Sequence, residues 1–274
     1  MRRAVFIMFV AMSLIPAGDS AGKVLTQQLG VAPLFVAWSR FAVGAVIVLP
    51  FVPRGAWRLL RDWRIWVRAA TLAAGISAIQ TALRTEQIAT VFAAFFIGPL
   101  MSYVLAAVFL RETVTRLRSA LILVGFLGVL IVVRPGMGAS AGLLWAVLAG
   151  VCYGVFLTMS RWLGHLGSPL SLTFTQLVIA AILLLPLGLA NAPPATATVA
   201  GLASLSALCS MLGNLLLLFA YAHAPATRLA PLVYFQLIAA VGLGWLVFGD
   251  LPDIWTWTGL VVILGAGIAS TRLR

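Results

Sequence analysis

Two copies of one hydrophobic pattern fill this chain. At an offset of 136 to 138 residues, Pro33 falls on Pro169, Pro50 on Pro186, Lys23 on Arg161 and Glu112 on Asp250. Each copy holds five long apolar stretches. They lie at 4–27, 33–53, 66–84, 88–110 and 118–134, then at 140–160, 169–190, 198–221, 228–248 and 255–272. Most approach the ~20 residues that a helix needs to cross a hydrocarbon core of roughly 30 Å. An odd number of crossings forces the second copy into the bilayer upside down, the inverted-repeat plan of many secondary transporters. The expected fold is an all-α integral membrane protein of ten transmembrane helices, arranged as two inverted five-helix repeats over 1–137 and 138–274.

Composition excludes the main alternatives to a membrane protein. Only 9% of residues are charged and 63% are hydrophobic, whereas a soluble domain carries about 25% charge. The formal net charge of +12 sits in short loops between apolar runs. Its partner is therefore the lipid headgroup rather than nucleic acid. Cys152 and Cys209 fall inside apolar stretches without metal-ligand spacing, and read as packing residues. No cofactor or metal is expected.

Arg2 and Arg3, the apolar run Ala4 to Ile15 and the string PAGDSAG resemble a secretory signal peptide. Continued through Leu29, however, the segment is long enough to span, and its removal would leave four helices against five. Retained, it sets the orientation. With the N-terminus inside, Arg2, Arg3, Arg54, Arg58, Arg61, Arg64, Arg68, Arg111, Arg116, Arg118, Arg161, Arg228, Arg272 and Arg274 fall on the cytoplasmic side, and only Arg84 and Arg134 outside. That positive-inside bias places both termini in the cytoplasm of a bacterial-type inner membrane. The arginines from Arg54 to Arg68 share one helical face, so an interfacial helix on anionic lipid is expected there. Trp255 and Trp257 suit the aromatic belt opposite.

Charges inside the hydrocarbon cost about 2.5–3.5 kcal/mol each on insertion scales, which makes the few present candidates for function. Asp19 and Lys23 stand four residues apart and can pair across one turn. Pro16 and Gly18 just upstream predict a kink or break. Asp19 is a candidate proton or cation site, and Lys23 a candidate anchor for an anionic group. Arg40 cannot shed its proton and needs a carboxylate, carbonyls, water or a substrate anion; Asp19 is one candidate partner. Its repeat mate is Gln176, while Asp19 faces Leu157, so the charge chemistry belongs to the first copy. Arg84 and Glu86 read as an exterior pair, and Glu112 and Asp250 as structural carboxylates.

The segments FAAFFIGPLMSY and LAPLVYFQLIAA occupy matching positions in the two copies. Both are interrupted by proline, and such paired interruptions point to a transporter's binding site. They contribute Phe95, Tyr103, Tyr234 and Gln236 as candidates. Tyr153, Asn214 and Tyr221 are further polar positions in the second copy.

The run AGK at Lys23, WSRF at Arg40, the ALR…IGPL…LRE stretch from Ala82 to Glu112 and the GD…GLVVILGAG ending from Gly249 together resemble the EamA-type branch of the drug/metabolite transporter superfamily. The resemblance covers essentially the whole chain. It implies a central cavity lined by both halves and opened alternately to each side. The Asp19/Lys23 pair and YFQLIAAVGLGWLVFGDLPD resemble a subset that includes uptake carriers for S-adenosylmethionine or riboflavin. Other members resemble amino-acid exporters. Gln236 departs from the family pattern, in which many members have a proline nearby.

The reading is a secondary transporter of a small organic metabolite, a vitamin, a nucleoside-like compound or an amino acid. The substrate is expected to be anionic or aromatic, protons are the candidate coupling ion, and a homodimer is a candidate assembly. A passive channel would share the topology. A membrane-embedded enzyme would need clustered catalytic groups, and His165 and His223 stand without them.

Overall fold

The structure is a computed structural model that describes residues 2–111, 116–134, 140–223 and 235–272. Among these, every regular element is helical. Helix α1 (Arg2–Lys23) continues into a π-helical turn (Val24–Gln28), and α2 (Pro33–Val48) follows. A short α3 (Ala56–Leu59) precedes α4 (Trp63–Thr85). Next come α5 (Ile88–Phe95), α6 (Ile97–Phe109) and α7 (Arg116–Val133). The second half holds α8 (Ala141–Trp162), α9 (Pro169–Ala190), α10 (Ala197–His223), α11 (Phe235–Phe248) and α12 (Ile254–Arg272).

Local chemistry sets the starts. Pro33 and Pro169 occupy the first helical turn, where a missing N–H costs nothing. Ser140 and Ser168 accept from the Leu143 and Ser171 amides at 3.1 and 3.2 Å, capping α8 and α9. Among the described residues, six helical spans are long and apolar enough to cross a membrane: Phe6–Gln28, Pro33–Phe51, Ile88–Phe109, Ala141–Trp162, Pro169–Ala190 and Ala197–Leu217. Ser119–Val133, Phe235–Phe248 and Ile254–Ala269 are shorter apolar helices. Large side chains such as Phe109, Leu246 and Ile254 lie more than 70% exposed. In water such a surface would aggregate; in lipid it is the solvated face.

The helices pack in a reciprocal pattern. At the sequence offset, α1 corresponds to α8, α2 to α9, α4 to α10, α5 with α6 to α11, and α7 to α12. Helix α1 packs on α10 and α4 on α8; α6 packs on α8 and α1 on α11; α2 packs on α10 and α4 on α9. Each member of these pairs becomes the other when the halves are exchanged. The contacts α2 on α9, α7 on α12 and α5 on α11 map onto themselves.

Two expectations from the sequence differ from the structure. Helix α1 continues unbroken through Pro16 and Gly18, and the change in hydrogen-bond pattern comes later, as the π turn after Lys23. The segment from Arg54 to Arg68 is not one interfacial helix. Asp62 accepts from the Arg64 amide at 2.9 Å and starts α4 afresh, so the helical phase is not carried across. Arg68 consequently turns inward and is 5% exposed. The Asp62 carboxyl lies below its ordinary range because the Arg64 side chain and amide both donate to it.

The interruption expected around Gly98 and Pro99 is present as the break at Phe96 between α5 and α6. It lies against α8 at glycine positions. A Cβ on Gly150 would stand 2.6 Å from the Phe95 carbonyl oxygen, and one on Gly154 would stand 2.7 Å from that of Gly98. Only glycine permits this backbone approach, the usual device for close helix contact in lipid.

Candidate functional site: a central polar and aromatic cavity

A cavity of about 170 Å³ opens between helices of both halves. Its lining includes a polar cluster built on the α1, α2, α4 and α10 contacts. Gly18 lets α10 come close, since a Cβ there would meet the Ser206 carbonyl oxygen at 2.9 Å. The Ser206 hydroxyl donates to the Gly18 carbonyl at 2.7 Å, closing the approach. Asp19, one residue on, is 3% exposed and accepts from the Arg40 guanidinium. Arg40 also donates to the Ser210 hydroxyl, and Gln80 donates to Asp19 at 3.1 Å. The network satisfies the charge pair from four helices, which a buried ion pair requires to offset its desolvation.

The same cavity carries an aromatic wall. The ring centroids of Phe92 and Phe95 are 6.3 Å apart, those of Phe95 and Tyr153 5.0 Å, and those of Tyr153 and Phe156 5.9 Å. Tyr153 and Phe156 are stacked at 28°. All four residues line the cavity, as do Gln176, Asn214 and Gln236. The lining combines π faces with hydrogen-bonding groups.

Asp19, Arg40, Phe95, Tyr153, Gln176 and Gln236, all singled out from the sequence, therefore meet at one cavity. Lys23 does not join them. Asp19 is taken by Arg40, and Lys23, about one turn or 6 Å further along α1, reaches the end of the bundle. There its ammonium donates to Asp250 at 3.2 Å and to the Glu86 carbonyl at 2.9 Å, and lies 4.6 Å from the centre of the Phe248 ring. One buried side chain thus ties α1 to the α4–α5 and α11–α12 turns. Glu86 accepts from Ser140 at 2.5 Å, and among the described residues no ion pair joins it to Arg84. Tyr103 lies on α6 away from the cavity, its hydroxyl buried without a partner. Tyr234 and Glu112, and the side chain of Tyr221, lie outside the described residues.

Beside this lock, Arg134 pairs with Asp253 at 2.6 Å. Burial alone would raise the Asp253 pKa, but hydrogen bonds from Thr256 and the Arg134 charge outweigh it and hold the carboxyl below its ordinary range.

Gln80, Ser206, Ser210 and Arg68 are site residues that sequence reasoning misses. Ser206 and Ser210 carry the one available signal, a four-residue spacing that places two hydroxyls on one face of α10.

Two reciprocal halves around a polar cavity suit a carrier, and comparison with known proteins decides the family. The EamA-like transporter family matches residues 2–134 and again 140–271. The chain belongs to the EamA-like transporter family. Family membership makes it a multi-pass membrane protein concerned with transport rather than catalysis. Among its EamA relatives, a riboflavin transporter of Brucella anthropi is 27% identical over 97% of each chain. An S-adenosylmethionine uptake transporter of Rickettsia bellii is 29% identical over 90% of this chain and 87% of that one. The pseudopaline exporter CntI of Pseudomonas aeruginosa is 32% identical over 65% and 63%. A solved crystal structure, 18% identical, superposes with a TM-score of 0.60 over 99% of this chain and 98% of that one, so the fold is shared.

Proposed function

We propose that this EamA member is a secondary active transporter that carries a planar heteroaromatic metabolite of the riboflavin kind through the central cavity by alternating access. The observation that carries the reading is the aromatic wall of Phe92, Phe95, Tyr153 and Phe156 in one cavity with hydrogen-bonding groups. A flat ring system would stack on the first, and its polar edge would engage Gln176, Asn214 and Gln236. The riboflavin transporter matched over nearly the full length supports that choice.

Ten spans in two inverted repeats, 1–137 and 138–274, form the scaffold of this proposal. The reciprocal packing of the halves supports it, since exchange of equivalent helices is how such transporters alternate. The arginine distribution supports cytoplasmic termini in a bacterial inner membrane. At about 170 Å³ the cavity is smaller than the ~300 Å³ of the smallest usual ligand pockets, so loading must widen it. Opening toward the Lys23 end requires the contacts of Lys23 to Asp250 and Glu86 to break.

Asp19 is the proposed coupling site. A proton on its carboxylate removes the charge that holds Arg40, and frees the guanidinium to engage the substrate; loss of the proton re-forms the pair. The test is riboflavin flux into proteoliposomes under an imposed pH gradient. A variant that neutralises both partners, Asp19→Asn with Arg40→Gln, should fold and lose the response to the gradient. A gradient response equal to that of the unmodified protein removes Asp19 from the coupling mechanism.

A further inference from the structure

Among the described residues, Arg68 is a buried charge with no carboxylate partner, one layer behind the cavity wall. It is 5% exposed, and a guanidinium stays protonated at any physiological pH. Its hydrogen bonds are well provided for: Nε donates to Ser160 Oγ at 2.8 Å, Nη1 to the Leu172 carbonyl at 3.1 Å and Nη2 to Gln176 Oε1 at 2.9 Å. Its planar group also stands 4.7 Å from the centre of the Phe156 ring. All these partners are neutral.

No carboxylate remains to balance it among the described residues. The chain has six acidic residues. Asp19 pairs with Arg40, Asp62 with Arg64, Asp250 with Lys23 and Asp253 with Arg134. Glu86 accepts from Ser140, and Glu112 lies outside the described residues. At the cavity itself, Asp19 and Arg40 cancel each other while they are paired. Arg68 stands next to the cavity, since two of its contacts, Gln176 and Phe156, line it.

Satisfied hydrogen bonds explain how Arg68 is tolerated, but neutral acceptors that tie helices together do not require a cation. A charge at this depth is costly wherever it is only structural. We infer that Arg68 sets the charge selectivity of the transport cavity, favouring neutral or anionic substrates and rejecting cationic ones. It acts through the field it places on the cavity and through Gln176, whose amide oxygen it holds, leaving the Gln176 NH₂ as the group available to a substrate acceptor. A sulfonium compound such as S-adenosylmethionine is thereby disfavoured in this chain. The inference rests on the cavity being the substrate site.

The test uses two matched pairs that differ in charge: S-adenosylmethionine against S-adenosylhomocysteine, which lacks the sulfonium methyl, and riboflavin against riboflavin 5′-phosphate. Affinities are measured by calorimetry on the purified protein. In each pair that binds, the less cationic member should bind more tightly by on the order of tenfold, the effect of one unit charge several ångströms away in a partly polar interior. Arg68→Gln should bring the ratio toward one, and Arg68→Lys should keep it. Ser160→Asp supplies a carboxylate beside the guanidinium while leaving Arg68 in place, and should also bring the ratio toward one, so the test does not depend on Arg68→Gln folding. Charge-blind binding, preference for the cation, or a ratio unmoved in both Arg68→Gln and Ser160→Asp overturns the inference alone. Binding of none of the four compounds overturns it together with the proposed cavity.

Discussion

Replacement of Asp19 by asparagine isolates the energetic centre of the site. The sequence alone suggests that this change abolishes proton coupling and leaves folding intact; the structure alters that expectation. Asp19 and Arg40 are 3% and 7% exposed, and among the described residues the guanidinium has no other carboxylate. The asparagine amide could still accept a hydrogen bond, and Ser210 would remain, but the positive charge would be left buried and unbalanced. Removing one partner of a buried pair costs about 3–5 kcal/mol. At roughly 2–4 °C per kcal/mol for a chain of this size, the melting temperature should fall by about 6–20 °C. Melting can be followed by tryptophan fluorescence in detergent. Arg40→Met in the Asp19→Asn background removes the stranded charge and should recover most of the loss, a coupling that a double-mutant cycle reads directly. A single variant that melts within about 2 °C of the unmodified protein, or a double variant that melts below the single one, would refute the reasoning.

Gly154→Val should force α6 away from α8, because its Cβ would stand 2.7 Å from the Gly98 carbonyl oxygen. A loss of about 1–3 kcal/mol or more is expected on thermal melting, and unchanged stability would contradict the close contact. Tyr153→Ala removes the middle ring of the aromatic wall and should weaken riboflavin binding about ten- to hundredfold by calorimetry, the range seen when a stacking side chain is truncated. Lys23→Met breaks three contacts at one end of the bundle. Amide hydrogen exchange in the turns around Glu86 and Asp250 should quicken, whereas unaltered protection would show that Lys23 does not close that end. A cysteine at Gly55 should resist an impermeant thiol reagent applied from outside, and one at Gly138 should react; the reverse labelling would contradict the proposed topology.

Helix positions are legible because apolar length and proline placement carry them locally: Pro33 and Pro169 start α2 and α9 where the apolar runs begin. Much of the cavity is legible too. Asp19 and Arg40 are rare charges in apolar runs, and rarity inside lipid is itself a signal. Partner choice is harder to read. Asp19 and Lys23 satisfy the four-residue rule for pairing on a helix, yet each binds a residue from another element, since a guanidinium fork from α2 outcompetes a same-helix ammonium. Arg68 is misplaced on the lipid surface for a different reason. Its phase is counted from Arg54, and the Asp62 cap that resets the phase is a single residue in a basic loop. Gln80 and Ser210 give no charge signal, and only tertiary packing brings them to Asp19 and Arg40.

The most direct test of the central claim is riboflavin accumulation in proteoliposomes under an imposed proton gradient, followed by flavin fluorescence and compared between the unmodified protein and Tyr153→Ala. Concentration above the external level, strongly reduced in Tyr153→Ala, is the predicted result. Flux that only equilibrates riboflavin, or accumulation indifferent to Tyr153, would contradict a secondary transporter working through this cavity.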